Sequence, residues 1–98
     1  LPEIDDEARM RRLWSSVIIQ SLIDATAEAP ALQVQADRKR ARDWIFAEAG
    51  VTAQDFEAVC LAADIQPSRV REFIQNYEGP PLNLHILSRL RNEMLGKE

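Results

Sequence analysis

Met10, Leu13, Trp14, Val17, Ile18, Ser21 and Ala25 recur at intervals of three and four residues. That spacing puts them on one side of an α-helix, and alternation suited to a strand is missing. The same rhythm returns along most of the chain. Val17-Ile18-Ile19 is the one β-branched run, and it sits inside the helical pattern. An all-α fold follows: a compact bundle of about five helices in a single domain over residues 1–98. Because the chain starts on Leu1 rather than Met, it is expected to be a fragment of a longer protein.

Proline, glycine and capping residues divide the pattern into elements. A first helix is predicted from Asp5 to Ala27, with Asp5, Asp6 and Glu7 complementing its dipole. Ala29 to Val34 reads as a loop around Pro30. A second helix is predicted from Gln35 to Ala49, closed by Gly50, which tolerates the left-handed conformation. A third runs from Ala53 to Ala63 and is opened by a capping-box-like pair, Thr52 and Asp55. A fourth begins at Pro67, with Ile65 and Val70 placed as a hydrophobic staple, and Gly79-Pro80-Pro81 stops it. A fifth is predicted from Leu82 to Leu95, with Leu84, Leu87, Leu90 and Met94 as its apolar stripe. Trp14, Trp44 and Cys60 read as core residues, and His85 as structural.

Several classes of function are disfavoured. No apolar run reaches the ~18–20 residues of a membrane span, and no signal peptide is visible. One cysteine and one histidine far apart do not make a zinc site. The three glycines are isolated, so there is no phosphate loop, and neither a nucleophile elbow nor a metal-ligand cluster appears. A protein that is not an enzyme, without cofactor or metal, in a bacterial cytoplasm and associated with the nucleoid, is expected.

The net charge of −4 at first argues against nucleic acid. Its distribution changes that. Residues 1–37 hold three basic and seven acidic side chains, whereas residues 38–98 hold nine of each. The basic residues of the second part are clustered: Arg38, Lys39, Arg40 and Arg42 form a block, followed by Arg69/Arg71 and Arg89/Arg91.

The informative stretch runs from Phe56 to Phe73. It reads as helix, tight turn, helix over about 53–78, the order of a helix-turn-helix. Cys60 supplies a small residue where the two helices approach. Asp64 stands where the turn normally uses glycine, and Asp tolerates positive φ better than most residues. The second of these helices is expected to present Gln66, Ser68, Arg69, Arg71, Glu72 and Gln75 outward. Arginine, glutamine and serine suit base edges in the major groove, so Gln66, Ser68, Arg69, Arg71 and Gln75 are the candidate base contacts. Arg38, Lys39, Arg40 and Arg42 are the candidate phosphate contacts. The bland alternatives are a solvated helix face for that block and an Arg69–Glu72 ion pair one turn apart.

The residues Trp14…Val17-Ile18, Ala41…Trp44-Ile45, Asp55-Phe56…Val59-Cys60…Ala63 and Pro67…Val70-Arg71 form a recurring pattern. In it the chain resembles small alphaproteobacterial and prophage proteins that include the activators of gene transfer agents. The similarity covers roughly residues 14–74, and Leu82–Glu98 has no counterpart in it. The resemblance implies a DNA-binding transcription activator of phage ancestry that recruits or modifies RNA polymerase. Only Pro67, Val70, Arg71 and the core residues carry that implication. Regulators of this kind commonly bind as dimers. The partners expected are therefore double-stranded DNA, RNA polymerase or another regulator, and a second copy. Two other readings stay open: a helical adaptor that binds a protein through the first helix or the last leucine stripe, and the DNA-recognition domain of a phage packaging subunit.

Overall fold

A computed structural model describes residues 6–94, with the side chains of residues 6–89. Five helices follow one another, and no strand occurs among the described residues: α1 (Asp6–Thr26), α2 (Leu32–Phe46), α3 (Gly50–Ala63), α4 (Pro67–Asn76) and α5 (Leu84–Met94). The expected all-α bundle of five helices is therefore what the chain forms. Asp5, Leu95 and the expected ends of α1 and α5 that contain them lie outside the described residues.

α1 is the scaffold, packing against both α2 and α3. Its core residues Ile18, Leu22 and Ala25 are fully buried, yet the first buried residue along it is Ile18. The amino-terminal half leaves Met10 and Leu13 about half exposed and Val17 on the surface. The expected apolar side of α1 thus divides in two, with burial confined to the second half. Ser21, the one buried polar residue among those described, donates its hydroxyl to the Ile18 carbonyl at 2.7 Å. That local bond satisfies a group whose burial unpaired is unfavourable.

The core joins α1 to Ile45 of α2, Phe56 and Cys60 of α3, and Val70 and Ile74 of α4. Leu82 and Leu87 close it from the far end. Leu82 precedes α5, and its amide donates to Thr26 Oγ1 at 2.9 Å, fastening the chain to the end of α1. Asn83 begins α5: its carboxamide oxygen accepts the amide of Ile86 at 2.9 Å, an ordinary N-cap. Leu84, expected in the apolar stripe, is 68 % exposed. It occupies the first helical turn, whose inward face belongs to Leu87.

Four boundaries differ from expectation by two residues or more: α5 starts at Leu84 rather than Leu82, because Leu82 is tied to Thr26 and Asn83 serves as the cap, and the other three lie on α2 and α3. α2 starts at Leu32, inside the expected loop, and ends at Phe46, before Gly50. Its last carbonyls are taken by an arginine from α4, so a glycine cap is not needed there. Gly50 instead opens α3 at a φ of 85°. With α3 starting at Gly50, Thr52 lies within the first turn, and no side chain caps the helix. Asp55 is engaged elsewhere, accepting the Trp44 indole N–H at 2.7 Å. The capping box is therefore replaced by a tertiary bond.

Candidate nucleic-acid interface

α3 and α4 are joined by three residues, Asp64, Ile65 and Gln66. Asp64 adopts φ 61° and ψ 42°, the left-handed conformation that the sequence demands of it. Two backbone bonds close the turn, from the Asp64 amide to the Leu61 carbonyl (3.0 Å) and from the Ile65 amide to the Cys60 carbonyl (2.9 Å). This is a Schellman motif, in which otherwise unpaired carbonyls at the helix end gain partners. Ile65 and Val70 are buried on either side of the next cap, as a staple places them. Pro67 takes the first position of α4, where its missing N–H is harmless. Phe73 of α4 stacks at 5.5 Å on Tyr77, the residue that follows the helix, and both rings pack half-buried against the core.

Gln66, Ser68, Arg69, Glu72 and Gln75 are exposed on this segment. Val70 and Ile74 hold its opposite face in the core. Arg71, expected outward with them, is turned inward. Its Nε donates to the Ile45 carbonyl (2.7 Å) and its Nη2 to the Ala47 carbonyl (3.3 Å). Its guanidinium lies 4.8 Å from the centre of the Phe56 ring, and Glu57 is 4.0 Å away. A cation at the end of α2 also complements that helix's dipole. Arg71 is a strut between α4 and α2, with its Nε and Nη2 committed to backbone carbonyls.

The basic block of α2 is dispersed rather than gathered into one patch. Arg42 donates its Nε to the Ala25 carbonyl at 2.9 Å, closing the end of α1 as Arg71 closes α2. Arg38 lines the same shallow hollow as Arg42, beside Ile74 and Tyr77 at the carboxyl end of α4. Lys39 pairs with Asp43 at 2.7 Å, and Arg40 with Asp37 at 3.1 Å, both on exposed surface. Arg40 borders a groove on the α1–α3 side. Of the four candidate phosphate contacts, Arg38 and Arg42 adjoin α4, and Arg42 is already engaged.

Cys60 is fully buried beneath the turn. Burial pushes its thiol up to about 11, against a smaller opposing pull from Arg71. It packs as a neutral small residue rather than acting as a nucleophile. No group of three or more potential metal ligands occurs among the described residues. None of the described helices is long and apolar enough to cross a membrane.

A groove lies between α1, α2 and α3, and Arg40 alone of the expected contact residues lines it. It has a volume of about 680 Å³, and both tryptophans line it. Trp44 meets Phe56 edge to face at 4.9 Å while its other side faces the groove. The width of the apolar surface on α1, from Met10 round to Ile23, was the signal for it. One helix cannot bury that much surface against two neighbours.

No known protein family, no curated protein and no solved structure matches the chain.

Proposed function

We propose that this domain binds double-stranded DNA through the exposed face of α4, as part of a transcription activator of phage or gene transfer agent genes. The observation that carries the reading is the α3–α4 pair. Its turn is closed by a left-handed residue, its second helix is anchored by Val70 and Ile74, and polar side chains occupy the outer face. Gln66, Ser68, Arg69 and Gln75 are the proposed base contacts. Residues near the amino end of such a helix meet base edges first, which ranks Ser68 and Arg69 highest. Arg38 is the proposed phosphate contact beside α4, with Arg42 in the same hollow supporting it. Arg71 is reassigned to holding α4 at its angle. Activator function and phage ancestry rest on the sequence resemblance. A helical adaptor is the second reading, and the groove is what favours it.

A fluorescence-anisotropy titration with random duplex DNA at ~50 and ~200 mM salt tests the proposal, because neutralised phosphates make affinity fall steeply with salt. Salt-sensitive binding, weakened by about 1–3 kcal/mol at one preferred site in Arg69→Ala, is the expected result. A folded domain that shows no binding at the lower salt sinks the DNA reading in favour of the adaptor.

A further inference from the structure

The groove between α1, α2 and α3 has an apolar floor in which Trp14, Val17, Trp44, Ala58 and Ala62 take part. Asp24, Asp37 and Asp55 stand around it with Arg40. Ala62 also lines a second hollow farther along α1, with Met10 and Leu61, Asp6, Glu7, Asp64 and Arg11. The two form one track along α1 from Asp6 to Asp24, about 27 Å at the rise of an α-helix. Leu61 is 80 % exposed, Met10 48 % and Val17 37 %, so among the described residues these apolar side chains of the track are left open to solvent.

Charge identifies the occupant. The track is bordered by six carboxylates and two guanidinium groups. The imbalance equals the formal charge of the whole chain, −4. Arg40 and Arg11 are themselves held by Asp37 and Glu7. An anionic surface such as nucleic acid is repelled there. A second copy docked face to face brings the same carboxylates against each other. We infer that the track is a docking site for an amphipathic helix of a partner protein, with lysines or arginines flanking its apolar stripe. A helix in a groove of this kind buries apolar anchors at three- and four-residue spacing, and complementary charge sets orientation and speeds encounter. α4 contributes no residue to the track, so this site is separate from the proposed DNA face.

Trp14 and Trp44 are the chain's two tryptophans, and both line the groove, so intrinsic emission reports its occupancy. Two synthetic helices of about 18 residues, without tryptophan, share one leucine stripe and span the track. One carries lysine flanks and the other glutamate flanks. The lysine peptide is expected to give a saturable blue shift, and the glutamate peptide none. Val17→Glu makes the chain more acidic, so non-specific adhesion would strengthen, whereas docking in the groove is expected to weaken by about tenfold or more. Ala58→Phe fills the groove without changing charge and is expected to do the same. Circular dichroism confirms that both variants are folded. The inference is overturned if the two peptides bind alike or not at all, or if both variants bind the lysine peptide as the parent does. It is also overturned if sedimentation of the chain alone shows a dimer in which both tryptophans are shielded from acrylamide.

Discussion

At the scale of single residues, Arg71 shows why a helical wheel misjudges a long side chain. It follows the fully buried Val70, on the border between the inner and outer faces of α4. Periodicity cannot tell whether a border residue turns out or folds back. The open carbonyls of Ile45 and Ala47 decide it. Arg71→Ala removes hydrogen bonds made by a charged donor and the contact with Phe56, together worth about 2–3 kcal/mol. Urea denaturation is expected to show that loss. Arg71→Lys is expected to recover little of it, because an ammonium cannot reproduce the fork of donors. If Arg71→Ala melts like the parent and relaxes base preference, the strut assignment fails. Asp64, in contrast, was legible: helix pattern, turn and staple left one position for a positive φ, and Asp64 holds it. Asp64→Gly is expected to stabilise the fold by about 0.5–1 kcal/mol, and Asp64→Val to destabilise it by more, since β-branching worsens the left-handed strain. Chemical denaturation of the pair reads both signs. Cys60 gives a pH dependence. Its thiol ionises at 9.0 ordinarily and at about 11 in the fold. Between those values the folded chain holds the proton more tightly than the unfolded one, so stability is fully present below about pH 9 and declines as pH rises towards about 11. The contribution at stake is roughly 2–3 kcal/mol. Denaturation at pH 8 and pH 10.5 is expected to show a drop that Cys60→Ala lacks. Equal drops in both would remove Cys60 as its cause.

At the scale of elements, helix existence was legible and helix ends were not. Local rules see only the residues around an end. The end of α2 is set by Arg71, 26 positions from Ile45, and the end of α1 by Arg42, 17 positions from Ala25. The start of α3 follows from Asp55 bonding Trp44 instead of capping. The tie between α1 and the segment before α5 spans 56 positions, from Thr26 to Leu82. Thr26 Oγ1 accepts the Leu82 amide and donates to the Leu22 carbonyl, so one hydroxyl serves both α1 and the segment that leads into α5. Thr26→Val keeps the shape and leaves the half-buried amide unpaired. The expected destabilisation is about 1–3 kcal/mol. Hydrogen exchange locates it: the Leu82 amide is expected to exchange much faster while the α3 core is little changed. Unaltered exchange at Leu82 would show that this bond does not hold α5 in place.

At the scale of the whole molecule, the sequence located the excess acid in the first helix but not what it surrounds. Asp6 and Glu7 of α1 share a hollow with Asp64 after α3, and Asp24 shares a groove with Asp37 of α2 and Asp55 of α3. Only packing brings those two groups of three together, and the same packing scatters the basic block of α2. The outcome is a division of surfaces: an acidic track on the α1–α3 side, and on α4 a polar face with Arg69. If the two surfaces serve two partners, disturbing one should leave the other unchanged. Ala58→Phe is expected to bind duplex DNA as the parent does, and Arg69→Ala to retain the lysine-flanked helix. The double variant is expected to lose both, each by the amount its single variant loses, within about 0.3–0.5 kcal/mol. Titrating the parent and the three variants with each ligand, alone and with the other at saturation, measures the coupling directly. A larger deviation would mean that α3, whose outer side floors the groove and whose end begins the turn to α4, transmits occupancy of one surface to the other. The domain would then work as a single coupled device rather than as two independent faces.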